Sequence, residues 1–158
     1  CRTHENVKFL FIGDGVLQKR IETKIRELGL KDRFLFAGLV PPSAVADYIA
    51  ASDMAVHASY REGLARVIPQ ALLAGKPVVS YDVDGAGEVI IDGVNGRLTE
   101  AGDTEGLEKA MEDVYSKYGE YERRTRERSE NLSRSFSVEK MVQDIIFCYL
   151  TFLRKMVK

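Results

Sequence analysis

The chain has 158 residues, with 23 Lys and Arg against 24 Asp and Glu, so its formal net charge is −1 with both histidines neutral. This length suits one domain, and 45% hydrophobic residues is ordinary for a packed core. The balance excludes a strongly basic duplex-binding surface, two cysteines at opposite ends (Cys1 and Cys148) exclude a disulfide framework or a Cys-rich zinc site, and no apolar run reaches the ~18–20 residues of a membrane span.

A reducing, cytoplasmic compartment is therefore the expectation. Residues 1–6 are polar and lack the apolar stretch of a signal peptide. A strand-like run starts almost at once, at Val7, as expected of a chain that begins inside a larger fold. Val7 to Ile12 is nearly continuously apolar and ends at Gly13-Asp14-Gly15, which predicts a strand buried on both faces. Leu17, Ile21, Ile25 and Leu28 then recur at helical spacing, with Gly29 as the stop. Phe34 to Phe36 predicts a second strand ending at Gly38, and after the Pro41-Pro42 turn Ser43 is placed to cap a short helix through Ala51.

Met54 to His57 predicts a third strand, Leu64 to Ala74 a helix, and Pro77 to Tyr81 a fourth strand. Strands alternating with helices imply βαβ units in a Rossmann-like, doubly wound parallel sheet flanked by helices. Gly87 to Ile91 predicts a short helix, Asp92 to Gly96 a turn, and Arg97 to Thr99 a last short strand. The α/β core thus spans 7–103 and a helical part follows over 104–158. Asp103 is placed to cap a helix carrying Leu107, Ala110, Met111, Val114, Tyr115 and Tyr118 on one face. Between Glu120 and Arg134 four Glu and five Arg predict a solvated helix laced with ion pairs. Ser137 opens a long helix whose stripe of Val138, Met141, Val142, Ile145, Ile146, Tyr149, Phe152, Leu153 and Met156 is long for the end of a small domain.

Two places pair a strand end with a helix start, where doubly wound folds bind ligands. At Gly13-Asp14-Gly15 the glycines allow backbone to approach a phosphate, but Gln18 stands where a dinucleotide fingerprint needs its third glycine, so a tight structural turn fits as well. The second, Ser59 to Arg66, is denser. Glu62 precedes the helix, Gly63 and Ala65 keep the approach open, and the backbone N–H groups of Leu64, Ala65, Arg66 and Val67 offer an anion site. Glu62 there either accepts hydrogen bonds from a hydroxylated ligand or complements the helix dipole.

The ordered set formed by Val7–Gly15, Phe34–Gly38, Ser52–Ser59, Glu62-Gly63, Ala71–Val79, Gly87-Glu88 and Asp92–Gly96 closely resembles the C-terminal, donor-binding domain of retaining GT-B glycosyltransferases of the family 4 (glycosyl transferases group 1) type. The resemblance runs from Val7 to about Asp103. It implies that Gly13, Asp14 and Gly15 lie near a nucleotide diphosphate and that Gly38, Leu39 and Val40 lie against the base. Ser59, Gly63, Leu64, Ala65, Arg66 and Val67 would complete the donor site. The family's Glu-x7-Glu motif would place Glu62 by the sugar hydroxyls as the catalytic glutamate. Its second glutamate, on the ribose, is replaced here by Gln70, which still accepts a hydrogen bond but without charge. Pro69 is expected to cost this helix a donor and kink its second turn.

The family's basic pair would precede Cys1, with Arg66 or Arg61 as substitutes on the phosphates. The implied partners are a nucleotide-diphosphate sugar, UDP- or GDP-linked, and an N-terminal acceptor domain outside this chain, with no nucleic acid. The C-terminal apolar stripe and the Arg154-Lys155…Lys158 end suggest self-association and peripheral membrane contact. The expected function is sugar transfer to an acceptor hydroxyl with retention and with no cofactor or metal, the isolated chain being inactive. Alternatives are a GT-B nucleotide-sugar epimerase half and a non-catalytic module that kept the fold. Asp82-Val-Asp84 spells a metal-dependent signature but is read as a polar loop pair, Gly75-Lys76 is followed by Pro77 and is no P-loop, and His57 is read as a packed strand residue, not a base.

Overall fold

A computed structural model describes residues 4–156. Its contacts divide the chain into two compact units, Cys1–Tyr48 and Ile49–Lys158. Cys1 and Lys158, named above, lie outside the described residues.

In the first unit β1 (Phe9–Ile12) leads to α1 (Gln18–Glu27), and β2 (Phe34–Gly38) follows a 3-10 turn at Lys31–Arg33. The two strands pair in parallel, Phe9 with Phe34 and Phe11 with Phe36, so their phenylalanines form a ladder. Ring centroids lie 5.0 Å apart for Phe9–Phe34 and 5.1 Å for Phe11–Phe36. Offset aromatic stacking of this kind adds to simple area burial. Burial of β1 on both faces is not observed, since Phe11 and Ile12 are 39% and 41% exposed. Within this unit only Ile25 of α1 is buried among the described residues, so an apolar run that would suit a central strand lies here in a thinly covered pair. Gly29 takes φ +68, as the stop of α1 requires. Ser43 does not cap: it sits inside a 3-10 turn (Pro42–Ala44) that runs into α2 (Val45–Ala50).

The second unit holds a three-stranded parallel sheet in the order β3 (Ala55–His57), β4 (Val78–Tyr81), β5 (Gly96–Thr99). The ladders therefore form two parallel sheets, β1-β2 and β3-β4-β5. In the central strand all four residues are buried, the pattern of a strand covered on both faces. Crossovers are α3 (Val67–Leu73) and α4 (Ala86–Val89). Val79 packs with Ala110 and Val114 of α5 (Thr104–Ser116) and Tyr121 of α6 (Tyr118–Ser135), with Met54, Leu107 and Met111 around them. Asp103 caps α5, its Oδ1 accepting from Gly106 N at 2.8 Å. The charged stretch is helical as expected, with Arg123–Glu127, Arg124–Glu120 and Arg126–Glu122 paired at i,i+4, while Tyr121 and Thr125 turn inward.

The last helix, α7 (Val138–Met156), is opened by Ser137, whose Oγ accepts from Lys140 N. Its apolar residues stay exposed, Phe147 at 70% and Phe152 at 61%. No helix among the described residues is long and apolar enough to cross a membrane.

Behind β5, Asp113 collects three donors: Lys117 Nζ at 2.6 Å, Tyr121 Oη at 2.6 Å and Arg97 Nη1 at 3.1 Å. The Lys117 hydrogen bond first, then that from Tyr121, holds the Asp113 carboxyl below the ordinary carboxylate range. A carboxyl whose folded pKa is depressed stabilises the fold above the unfolded value, about pH 4, and loses that contribution as pH falls through the folded value. Asp113→Asn should therefore be less stable than the parent at pH 7, and urea midpoints of the two should converge as pH falls below about 4. A gap that stays constant with pH would show that charge at Asp113 is not what stabilises the network.

Candidate functional site

In the first unit the register of β1 on β2 breaks after Phe11. Ile12 pairs with Gly38, so Ala37 has no partner across the ladder, as at a bulge. The slip brings the two glycine loops together: Gly13 N donates to Gly38 O at 2.8 Å, with Gly13 at φ +108 and Gly38 at φ +66. Both conformations favour glycine. Asp14 and Gly15 are exposed, Gln18 N donates to Gly15 O at the start of α1, and beyond Gly38 the Leu39 side chain is 77% exposed with Val40 half-buried. Six sequence-predicted residues thus lie on two adjoining loops at the carboxyl ends of β1 and β2.

The second unit places its predicted residues after β3. Ser59 is half-buried, Glu62, Gly63, Arg66 and Gln70 are exposed, Leu64 and Val67 are intermediate and Ala65 is buried. The helix begins later than the periodicity suggests. Leu64 and Ala65 stay outside the helix, and α3 starts at Val67 with Arg66 as its N-cap. Its first bonds run from Ile68 N to Ala65 O and from Gln70 N to Arg66 O. With this start Pro69 falls in the first turn, where a backbone N–H has no intrahelical acceptor in any case. The expected loss of a donor in a second turn does not occur, and Pro69 is simply buried with Ile68, Ala71 and Leu72.

Long-range bonds explain the late start. Glu62 N donates to Asp84 Oδ2 at 2.8 Å, and Gly85 N donates to Gly63 O at 2.8 Å. The loop between β4 and α4 thereby holds Glu62 and Gly63 out of helical geometry. Gly85 is needed for the approach, because a Cβ there would lie 3.1 Å from Gly63 O and 3.2 Å from Leu64 Cβ. Tyr60 leans on Tyr81, ring centroids 5.7 Å apart, and a Cβ at Gly102 would lie 3.3 Å from its ring.

Glu62 itself reaches His57. Their Oε2 and Nε2 atoms lie 3.1 Å apart, the His57 side chain 12% exposed and that of Glu62 48%. An ionised carboxylate only accepts, so Nε2 carries the donated hydrogen, and the other ring nitrogen, Nδ1, is buried without a hydrogen-bond partner. The sequence alone presents His57 as a packed strand residue. Its position five residues before Glu62 at the end of a strand was the signal available. Asp84, in turn, lends its carboxylate to a backbone N–H, and no cluster of three or more His, Cys, Asp or Glu suited to a metal occurs among the described residues.

The sequence matches the family described as "Glycosyl transferases group 1" over residues 1–132. It is 33% identical over 158 residues to N-acetyl-alpha-D-glucosaminyl L-malate synthase of Bacillus anthracis, covering 96% of this chain and 39% of that protein. It is 26% identical over 148 residues to the putative glycosyltransferase EpsD of Bacillus subtilis, covering 94% and 38%. Among solved structures, HepE of Anabaena in complex with UDP superposes with a TM-score of 0.83 at 28% identity, covering 94% of this chain and 42% of that one. HepE has also been solved with UDP-glucose, at a TM-score of 0.81. The chain thus spans about two-fifths of the length of these relatives. The parallel strands flanked by helices are those of GT-B glycosyltransferases, and the chain belongs to the glycosyl transferases group 1 family.

Proposed function

We propose that this chain is the donor-binding part of a retaining glycosyltransferase of family 4 type, which moves a sugar from a UDP- or GDP-sugar to an acceptor hydroxyl without a metal ion. The observation that carries the reading is Glu62. Its carboxylate stands half-exposed in the loop between β3 and α3, one oxygen held by His57 and its backbone held by Asp84. A carboxylate fixed in this way accepts hydrogen bonds from sugar hydroxyls in one orientation. The backbone N–H groups of Leu64 to Val67, at the start of α3, would meet the diphosphate, where charge grows as the sugar leaves. Support comes also from HepE, which binds UDP and UDP-glucose in its solved complexes.

In this proposal the attacking hydroxyl is brought by an acceptor domain that belongs to the part of the relatives this chain does not span. The 158 residues alone therefore bind donor and transfer nothing. Calorimetric titration with UDP, GDP and ADP, and with UDP-glucose and GDP-mannose, is expected to show one preferred base and tighter binding of its sugar form than of the bare diphosphate. Silence toward all five would overturn the donor-site reading, and sugar transfer by the isolated chain would overturn the division of labour.

A further inference from the structure

Two side chains converge on Glu62 from different elements, and neither is explained by packing. His57 ends β3 with its ring largely buried, yet it spends its Nε2 on a half-exposed carboxylate 3.1 Å away and leaves Nδ1 buried without a partner. An unpaired buried ring nitrogen is costly, and an apolar residue at this strand position would avoid that cost. Asp84 is the single non-glycine residue with positive φ among those described, at +47. Asp tolerates the left-handed region better than most residues but still less well than glycine. Its Oδ2 accepts from Glu62 N across 22 residues of sequence at 2.8 Å. Backbone held in a sparsely populated region is a cost that the rest of the fold carries, and such costs gather at functional sites.

We propose that His57 and Asp84 are positioning residues for the sugar end of a nucleotide-diphosphate sugar: His57 aims the Glu62 carboxylate by holding one oxygen, and Asp84 fixes the Glu62 backbone. The inference rests on the donor-site reading above and goes beyond it. With Oε2 held by His57, Oε1 is the oxygen that meets the sugar hydroxyls, and the pair of contacts removes the rotations that would let the carboxylate swing into solvent. Bare nucleotide does not use Glu62 in this arrangement. Loss of either positioning residue therefore weakens recognition of the sugar and spares recognition of the diphosphate.

Asp84 separates this role from a structural one. Asp84→Gly relieves the left-handed backbone and removes the acceptor; a residue kept for structure alone would shift the stability of the variant and leave its sugar-to-diphosphate affinity ratio unchanged. The test is calorimetry of the whole chain with UDP and with UDP-glucose (or the matched pair that the wild type prefers), with urea unfolding alongside. Expected results are a loss of about 10-fold in affinity for the sugar nucleotide in Asp84→Gly and in His57→Phe, with affinity for the bare diphosphate changed less than twofold. Asp84→Asn, which keeps an acceptor and tolerates the backbone, and His57→Gln, which keeps a donor near the Nε2 position, should recover most of that loss. A sugar-to-diphosphate affinity ratio unchanged in both His57→Phe and Asp84→Gly would overturn the positioning roles while leaving the donor site standing. Equal loss for both ligands would also overturn them, as would failure of both conservative variants to recover. A wild-type chain that binds neither ligand would remove the donor site and this proposal together.

Discussion

Gly96→Ala should lower the stability of the chain by about 3 kcal/mol, the upper end for forcing atoms into a packed interior. A Cβ at Gly96 would lie 2.0 Å from Val78 O and 3.0 Å from Val78 C. These are backbone atoms of the fully buried central strand, in the residue that Gly96 faces in the ladder, so no rotamer change can make room. Ile90 Cγ2, 3.2 Å from the same point, blocks retreat on the other side. Against a typical total of about 5–15 kcal/mol this is a large fraction, visible as a lower urea midpoint. Gly119→Ala is the internal control. It lies in the first turn of α6 with open space around its Cβ position, and should be neutral or gain at most about 0.5 kcal/mol, less than the helix-interior value. A Gly96→Ala midpoint equal to that of the parent would mean that β5 can slide away from β4, contrary to the tight ladder.

Glu62→Ala is expected to be the most damaging change to recognition: UDP-glucose, or the preferred sugar nucleotide, should bind about 10- to 100-fold more weakly, the range for losing hydrogen bonds to a charged acceptor. Affinity for the bare diphosphate should stay within a factor of about two, since the proposed donor site meets it with backbone N–H groups that the substitution leaves in place. Glu62→Gln should fall between, keeping an acceptor without the charge. The stability of Glu62→Ala should fall by about 1 kcal/mol, because His57 Nε2 loses its acceptor on a largely buried ring. Equal weakening of both ligands would place Glu62 on the phosphates or the ribose and not on the sugar. No weakening of either would favour the module that kept the fold and lost the site.

What could be read in the sequence was mainly what neighbouring residues decide. The cap at Asp103, the stop at Gly29 and the salt-laced face of α6 each depend on residues within about one helical turn. The start of α3 could not be read this way. Leu64 and Ala65 continue an apolar helical rhythm, yet the loop at Asp84-Gly85 pins Glu62 and Gly63 from a distance of some twenty residues. The same bond explains Asp82-Val-Asp84. As letters it spells a metal signature, whereas in three dimensions Asp84 serves a backbone N–H. The apolar run of β1 misled for a different reason: continuous hydrophobicity reports that a strand tolerates cover on both faces, not that the cover is present. The glycine loops and the Glu62 segment were legible as strand ends, because both the composition and the family's ordered motifs mark them. The part played by His57 was not, since a histidine closing a strand looks the same whether it packs or aims.

The central place of β4 has a consequence for how the chain is made. Its two ladders join residues 23 and 18 positions apart, Ala55 with Val78 and Val78 with Gly96, so the loops to be closed are of moderate length and their cost grows only slowly with length. During synthesis the sheet can form as soon as Thr99 is free of the ribosome. Ala110, Val114 and Tyr121, which cover Val79, are translated only afterwards. For that interval the face of β4 that carries Val79 is bare, and the nascent chain is at its most prone to stick to its neighbours. The strong cap at Asp103 sits at the junction between the two stages, where it favours immediate growth of the helix that ends the exposure.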